Sequence, residues 1–205
     1  MNTLTPATLQ LELVAGQLSA FYPLLQQGVV VGCMVGCRLG ELLSDQWGIS
    51  PDYVSKRVTT IFLNSRAIDD VNTALIGPDA VIALSGAMPG LVGATMRRGG
   101  YYAAMRGAMT YNDESVATSF REATVRVKLF NLLLGELGPG FLQRGILLSG
   151  TELVAFFRNQ GIEFRHGCRA ARLNGLAIDP ALLTEDADLA RIKSVRLTVE
   201  CRDAV

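Results

Sequence analysis

The sequence predicts an α+β fold in which one small unit of strands and a helix occurs twice in tandem. Three observations carry that expectation. The stretch Leu63-Asn64-Ser65-Arg66-Ala67-Ile68-Asp69 returns as Leu173-Asn174-Gly175-Leu176-Ala177-Ile178-Asp179, matching at Leu, Asn, Ala, Ile and Asp. Each half opens on an alternating segment: Leu9, Leu11 and Leu13 against Gln10 and Glu12, then Val125, Val127 and Leu129 against Arg126 and Lys128. Each half also places a short amphipathic segment of helical spacing between its strands, so similar landmarks recur in one order.

Taken in order, Thr8 to Leu13 reads as a half-buried strand, and Ala15 to Gln27 as a connector. Gly28 opens the β-branched run Val29-Val30-Val31, expected to return beside the first strand as a hairpin. Leu39, Leu42, Leu43 and Trp47 fall at helical spacing, which predicts a helix over 38–47 closed by Gly48. Ser50-Pro51-Asp52 reads as a break. Strands are predicted at 58–63, 66–68 and 80–84, with Asn64-Ser65 as a turn. In the second half, Gly145 opens a returning strand, Ile146 to Leu148. Thr151 is expected to cap a helix carrying Leu153, Val154, Phe156 and Phe157, and Val195, Leu197 and Val199 form a last strand. The expected domains are 1–87 and 122–205, joined by a Gly/Ala/Met-rich connector over 88–121 with a short helix from about Glu114 to Arg121.

A hairpin, a helix and further strands in one mixed sheet is the order of the ubiquitin-like β-grasp fold. The residues that carry the resemblance are Val125-Arg126-Val127-Lys128-Leu129-Phe130, Gly150-Thr151-Glu152-Leu153 and Leu173-Asn174-Gly175 in the second half. In the first half they are Gly36-Cys37-Arg38-Leu39-Gly40-Glu41-Leu42-Leu43 and Phe62-Leu63-Asn64. The second half resembles in particular the small subunit of molybdopterin synthase and the thiamine-pathway sulfur carrier. That resemblance implies two tandem β-grasp units. Sulfur carriers act through a flexible terminal Gly-Gly, whereas the last residues here are Cys201-Arg202-Asp203-Ala204-Val205. The one Gly-Gly pair, Gly99-Gly100, is internal and follows Arg97-Arg98.

Composition narrows the function classes. Lys and Arg together number 19 and so do Asp and Glu, giving a formal net charge of zero. A dedicated nucleic-acid binder, which gains affinity by neutralising phosphates, is not expected. The longest apolar run, 29–37, is far below the roughly 20 residues of a membrane span, and Met1 to Thr8 shows no basic stretch ahead of an apolar core. Four scattered cysteines make no disulfide framework, so a cytoplasmic protein with reduced thiols is expected.

Catalytic and metal motifs are weak. Cys33 and Cys37 would share one strand face, but zinc sites use tighter cysteine spacing and four ligands, so no metal or cofactor is expected. His166 with Cys168 two residues on is the one conceivable nucleophile pair, set among Glu163, Arg165 and Arg169 as in a solvated loop. Asp69, Asp70 and Asp179 read as turn residues. The candidate binding site is the connector: Arg97, Arg98, Gly99, Gly100 and Arg106, where glycine-rich backbone and three arginines without a nearby acid in sequence could cradle an anion. Replacing Arg97 and Arg98 is expected to leave the fold intact. The function expected is that of a non-catalytic ubiquitin-like binding or scaffold protein, with a protein partner or a second copy of itself and no membrane. The alternatives are a sulfur-carrier-like protein activated by cleavage after Gly100, and a small-anion-binding enzyme using the connector.

Overall fold

The computed structural model describes residues 5–111, 119–184 and 187–202. Strand β1 (Ala7–Val14) leads through a 3-10 turn to helix α1 (Tyr22–Gln27) and strand β2 (Val29–Val35). Helix α2 (Leu39–Glu41) continues as a π-helical turn over Leu42–Gln46, and α3 (Pro51–Arg57) follows. Strands β3 (Thr60–Leu63), β4 (Arg66–Ala67) and β5 (Val81–Ser85) precede α4 (Gly90–Met96), a 3-10 stretch over Tyr101–Met109, and β6 (Arg121–Phe130). Then come α5 (Leu133–Arg144), β7 (Ile146–Leu148), α6 (Gly150–Arg158), α7 (Ile162–Gly167), β8 (Cys168–Leu173), β9 (Leu176–Ile178), α8 (Ala187–Arg191) and β10 (Val195–Arg202).

The chain is a mixed α/β protein of two compact units, residues 24–138 and residues 1–23 with 139–205. This division differs from the consecutive halves expected at 1–87 and 122–205. The reason lies in strand pairing. In the 24–138 unit the strand order is β4-β3-β5-β6-β2, so β6, from after the connector, lies between β5 and β2. In the other unit the order is β9-β8-β1-β10-β7, so β1, from the start of the chain, completes the later sheet. The orientations match position by position. The β3–β4, β3–β5 and β2–β6 pairs are antiparallel and β5–β6 is parallel. Likewise β8–β9, β1–β8 and β7–β10 are antiparallel and β1–β10 is parallel.

The expected hairpins between β1 and β2, and between the strand opening the second half and β7, therefore do not form. Hairpin loops are short, whereas the segments after β1 and β6 are long enough to fold into helices of their own. Phe21 and Leu25 bury in the first, and Leu133, Leu134, Phe141 and Leu142 in the second. The sequence break at Ser50-Pro51 is a helix start instead: Ser50 accepts a bond from the Tyr53 N–H at 3.2 Å, with proline in the first turn, where its missing N–H costs nothing. In α6 the cap is Ser149 rather than Thr151. Its hydroxyl accepts from the Glu152 N–H at 3.2 Å while the Glu152 carboxylate accepts from the Ser149 N–H at 2.7 Å. The helix expected over 114–121 lies largely outside the described residues, and Arg121 already belongs to β6.

The repeated motif occupies the same place in both sheets. Asn64 and Asn174 both adopt positive φ, 50° and 51°, as the first residues of two-residue turns joining β3 to β4 and β8 to β9. Left-handed backbone is costly for most side chains and cheapest for Asn or Gly, which is why this residue type recurs there. Each Asn also grips the strand beside it. Asn64 Oδ1 accepts from the Val81 N–H at 2.9 Å, and the Asn64 N–H donates to the Val81 carbonyl at 2.8 Å. Asn174 does the same with Thr8, at 2.9 and 2.8 Å. Gly28 and Gly145 are matched too. Both directly precede a strand, β2 and β7, with positive φ, 110° and 97°, and a Cβ would meet Lys128 Cγ at 2.9 Å on Gly28 and Arg196 Nε at 2.6 Å on Gly145.

Each sheet buries one face. In the 24–138 unit Val29, Val31, Ile61, Leu63, Ile82, Leu84, Val127 and Leu129 are buried, as are Leu39, Leu42, Leu43 and Trp47 of the helix. In the other unit Leu9, Leu11, Leu13, Leu197 and Val199 are buried, as are four phenylalanines in mutual contact. Phe21 lies 4.8 Å from Phe156 and 5.8 Å from Phe164 between ring centroids, and Phe157 stands 5.2 Å from Phe156. No helix among the described residues is long and apolar enough to cross a membrane.

Candidate functional site

Two of the three connector arginines, Arg98 and Arg106, are anchored to the protein itself. Among the described residues Arg106 is the one buried charged residue, with none of its side-chain surface exposed. It forms a fork on Asp69, Nη1 to Oδ2 and Nη2 to Oδ1, both at 2.9 Å. Its Nε donates to the Thr95 carbonyl and its Nη2 to the Arg97 carbonyl, each at 2.6 Å. Arg98 is half-buried. Its backbone N–H donates to the Thr59 carbonyl at 2.9 Å, and its guanidinium to the carbonyls of Asp69, Val54 and Val58 at 3.3 Å each. Burial pulls the Arg98 pKa down, opposed by Asp69 and Asp70. The Gly99 N–H donates to Asp69 Oδ1 at 3.0 Å and the Gly100 N–H to the Arg97 carbonyl at 3.2 Å.

The acid the connector lacks in sequence is thus Asp69, the last residue of the first motif copy. Asp69 draws Arg98, Gly99 and Arg106 together, while the Arg97 side chain alone faces solvent. Arg98 is not the exposed cation expected. Asp179, the equivalent acid, instead accepts the Ala181 N–H at 2.9 Å as a turn residue, and Asp70 does the same for Asn72.

The sulfur and histidine candidates are dispersed. Cys37 lies beyond the end of β2, so it does not share a strand face with Cys33; its Sγ donates to the Met34 carbonyl at 3.3 Å. Burial pushes the Cys33 thiol up to about 11, helped by the nearby Cys37. Cys168 is buried and also raised to about 11, opposite to what an attacking thiolate requires. His166 is exposed in α7 rather than in a loop. Among the described residues no three His, Cys, Asp or Glu side chains gather as a metal set.

A different feature stands out, on the outer face of the 24–138 sheet. Phe62, Ala83 and Lys128 lie side by side across β3, β5 and β6, paired Phe62–Ala83 and Ala83–Lys128. One pleat further, Ser85 pairs with Phe130. With Val81, Ser65 and the turn Ala87-Met88-Pro89 they line a concavity of about 450 Å³. Its turn is pinned from within: the Asn131 amide donates to Ser85 Oγ at 3.1 Å and also to the Ala87 carbonyl, and Ser85 Oγ donates to that carbonyl at 3.0 Å. Among the described residues Lys128 is the only charged one in the lining, and it has no ion-pair partner.

The other unit supplies the control. Matching Asn64 to Asn174 and Val81 to Thr8 sets Phe62 against Arg172, Ala83 against Gln10, Ser85 against Glu12, Lys128 against Thr198 and Phe130 against Glu200. The equivalent surface is polar, and its concavity, lined by Gln10, Glu12, Arg172, Thr198 and Glu200 among others, measures about 110 Å³. The sheet architecture therefore tolerates an ordinary polar outer face, and the apolar face is particular to one unit. Sequence reasoning passed over it. The signal was present one residue ahead of the repeated motif, where Phe62 stands in one copy and Arg172 in the other.

No family model, no curated protein and no solved structure matches the chain.

Proposed function

We propose that this is a non-catalytic binding protein built from two β-grasp-like, ubiquitin-like units, whose recognition surface is the outer face of the 24–138 sheet. The β-grasp reading is supported by the strand order in each unit. One strand lies antiparallel to one of a parallel pair, with two antiparallel strands beyond the other and a helix over one face. The departure from that fold is in chain order, since each sheet takes one strand from the opposite half of the sequence.

The single observation that carries the binding reading is the apolar concavity of about 450 Å³ set against its polar counterpart. Burying Phe62, Val81 and Phe130 under a ligand would release water from a face that the fold itself does not require to be apolar. The two alternatives gain no support. Arg98 and Arg106 spend their donors on Asp69 and backbone carbonyls, which leaves the connector little to offer an anion. Cleavage after Gly100 would sever β5 from β6, neighbours in the sheet.

The test is titration with 1-anilinonaphthalene-8-sulfonate, an apolar anion that fluoresces on leaving water. Saturable binding at one site is expected in the native protein, and its loss in Phe62→Arg and in Ala83→Gln, which install the other unit's residues. Unchanged binding in both folded variants would place the recognition surface elsewhere.

A further inference from the structure

Resting on that reading, we infer that the concavity takes a small monocarboxylate with an apolar body, its charge paired with Lys128. The dimensions come from the cross-strand row. Neighbouring strands lie about 4.8 Å apart, so Phe62 on β3 and Lys128 on β6 flank Ala83 at a span of roughly 10 Å. Ala83 keeps the floor of the row low. A flat or chain-like body lying over it would meet the Phe62 and Phe130 rings and reach the Lys128 side chain, whose stem lies over Gly28 at the far side of the concavity.

The charge follows from the lining. Among the described residues no acidic side chain shares the lining of the concavity with Lys128. An apolar wall beside a lone cation favours an anion whose remaining surface is apolar, because the pair strengthens as water leaves. One ammonium balances one negative charge, so a monocarboxylate brings no excess charge into the apolar concavity, whereas a phosphate monoester dianion would. The volume of about 450 Å³ lies within the range of small-molecule sites. In the other unit Thr198 replaces the lysine, and Arg172 and Glu200 replace the two phenylalanines, so the apolar walls are gone and the cation there, Arg172, shares the lining with Glu12 and Glu200.

The experiment uses the full chain, with 2-naphthoate and 2-naphthylmethanol as matched probes in isothermal titration calorimetry at pH 7.5. Naphthoate is expected to bind about tenfold or more tightly than the alcohol. Lys128→Met should reduce naphthoate to the level of the alcohol without weakening the alcohol, whereas Phe62→Arg should weaken both. Ala83→Gln serves as the second blocking variant if Phe62→Arg does not fold. Equal binding of the two probes, or a naphthoate preference that survives in Lys128→Met, would overturn the carboxylate assignment while leaving an apolar site in place. Failure of both probes to bind the native protein at millimolar concentration would overturn the assignment and the binding reading together.

Discussion

Removing the carboxylate of Asp69 should destabilise the 24–138 unit more than removing its arginine partner, although the two form one ion pair. The asymmetry is set by exposure: the Arg106 side chain is 0% exposed and that of Asp69 is 41%. Asp69→Ala strands a charged guanidinium away from water, a loss of about 3–5 kcal/mol for a buried pair broken on one side. Arg106→Met leaves a carboxylate that water can reach, together with the Thr95 and Arg97 carbonyls it had bonded at 2.6 Å. At about 1 kcal/mol for each such net bond, that amounts to roughly 2–3 kcal/mol. The double variant should cost less than the sum of the singles, since each single pays for orphaning the other partner. Urea unfolding followed by Trp47 emission is suited to the measurement, because the chain's one tryptophan is buried in the same unit. An Arg106→Met variant within about 0.5 kcal/mol of the native protein would refute the reasoning, as would strict additivity in the double variant.

Asn64→Ala and Asn174→Ala should each cost about 1–2 kcal/mol in chemical denaturation, because both lose a strand-gripping bond and force alanine into left-handed backbone; Asn→Gly should be milder at both sites. Cys33 and Cys168, raised from 9.0 to about 11, should react with iodoacetamide at pH 8 about 100-fold more slowly than an unperturbed thiol, as judged by mass spectrometry of timed digests. The same shift makes folding stability fall between pH 9 and 11, where the unfolded chain releases thiol protons that the folded chain retains. Thr60→Val should be neutral or stabilising in thermal unfolding, since the buried Thr60 hydroxyl finds no hydrogen-bond partner among the described residues. A fragment of residues 24–138 should give a cooperative unfolding transition, and residues 1–87 should not, by circular dichroism, because the shorter piece lacks β6.

How far the sequence could be read depends on what each signal encodes. The alternation of Leu9, Leu11 and Leu13 states that one face of β1 is buried, and it is. It says nothing about which strands lie on either side, and the neighbours prove to be β8 and β10 from the far end of the chain. Likewise Leu-Leu-Gly-Glu-Leu-Gly-Pro-Gly hides α5, because glycine and proline mask a helix stabilised by burying Leu133, Leu134, Phe141 and Leu142. Positive φ at Asn64 and Asn174 was legible because turn chemistry is local. The apolar concavity was not, because Phe62, Ala83 and Lys128 become neighbours only through strand register.

That register also explains the connector. Strands β5 and β6 run parallel, and a parallel neighbour cannot be reached by a tight turn; the chain must travel back along the sheet before it re-enters. The segment between Ser85 and Arg121 makes that journey. Its path is fixed at Asp69, where Arg106 and the Gly99 N–H dock, and at the sheet edge, where the Tyr111 N–H donates to the Ala67 carbonyl at 2.9 Å. Arg98 and Arg106 dock the crossover that leads to Lys128 and Phe130, the two β6 residues of the concavity, beside Ala83 and Ser85. Weakening the Asp69–Arg106 pair should loosen ligand binding at a surface that neither residue lines, whereas removing the solvent-facing Arg97 side chain should leave it unchanged.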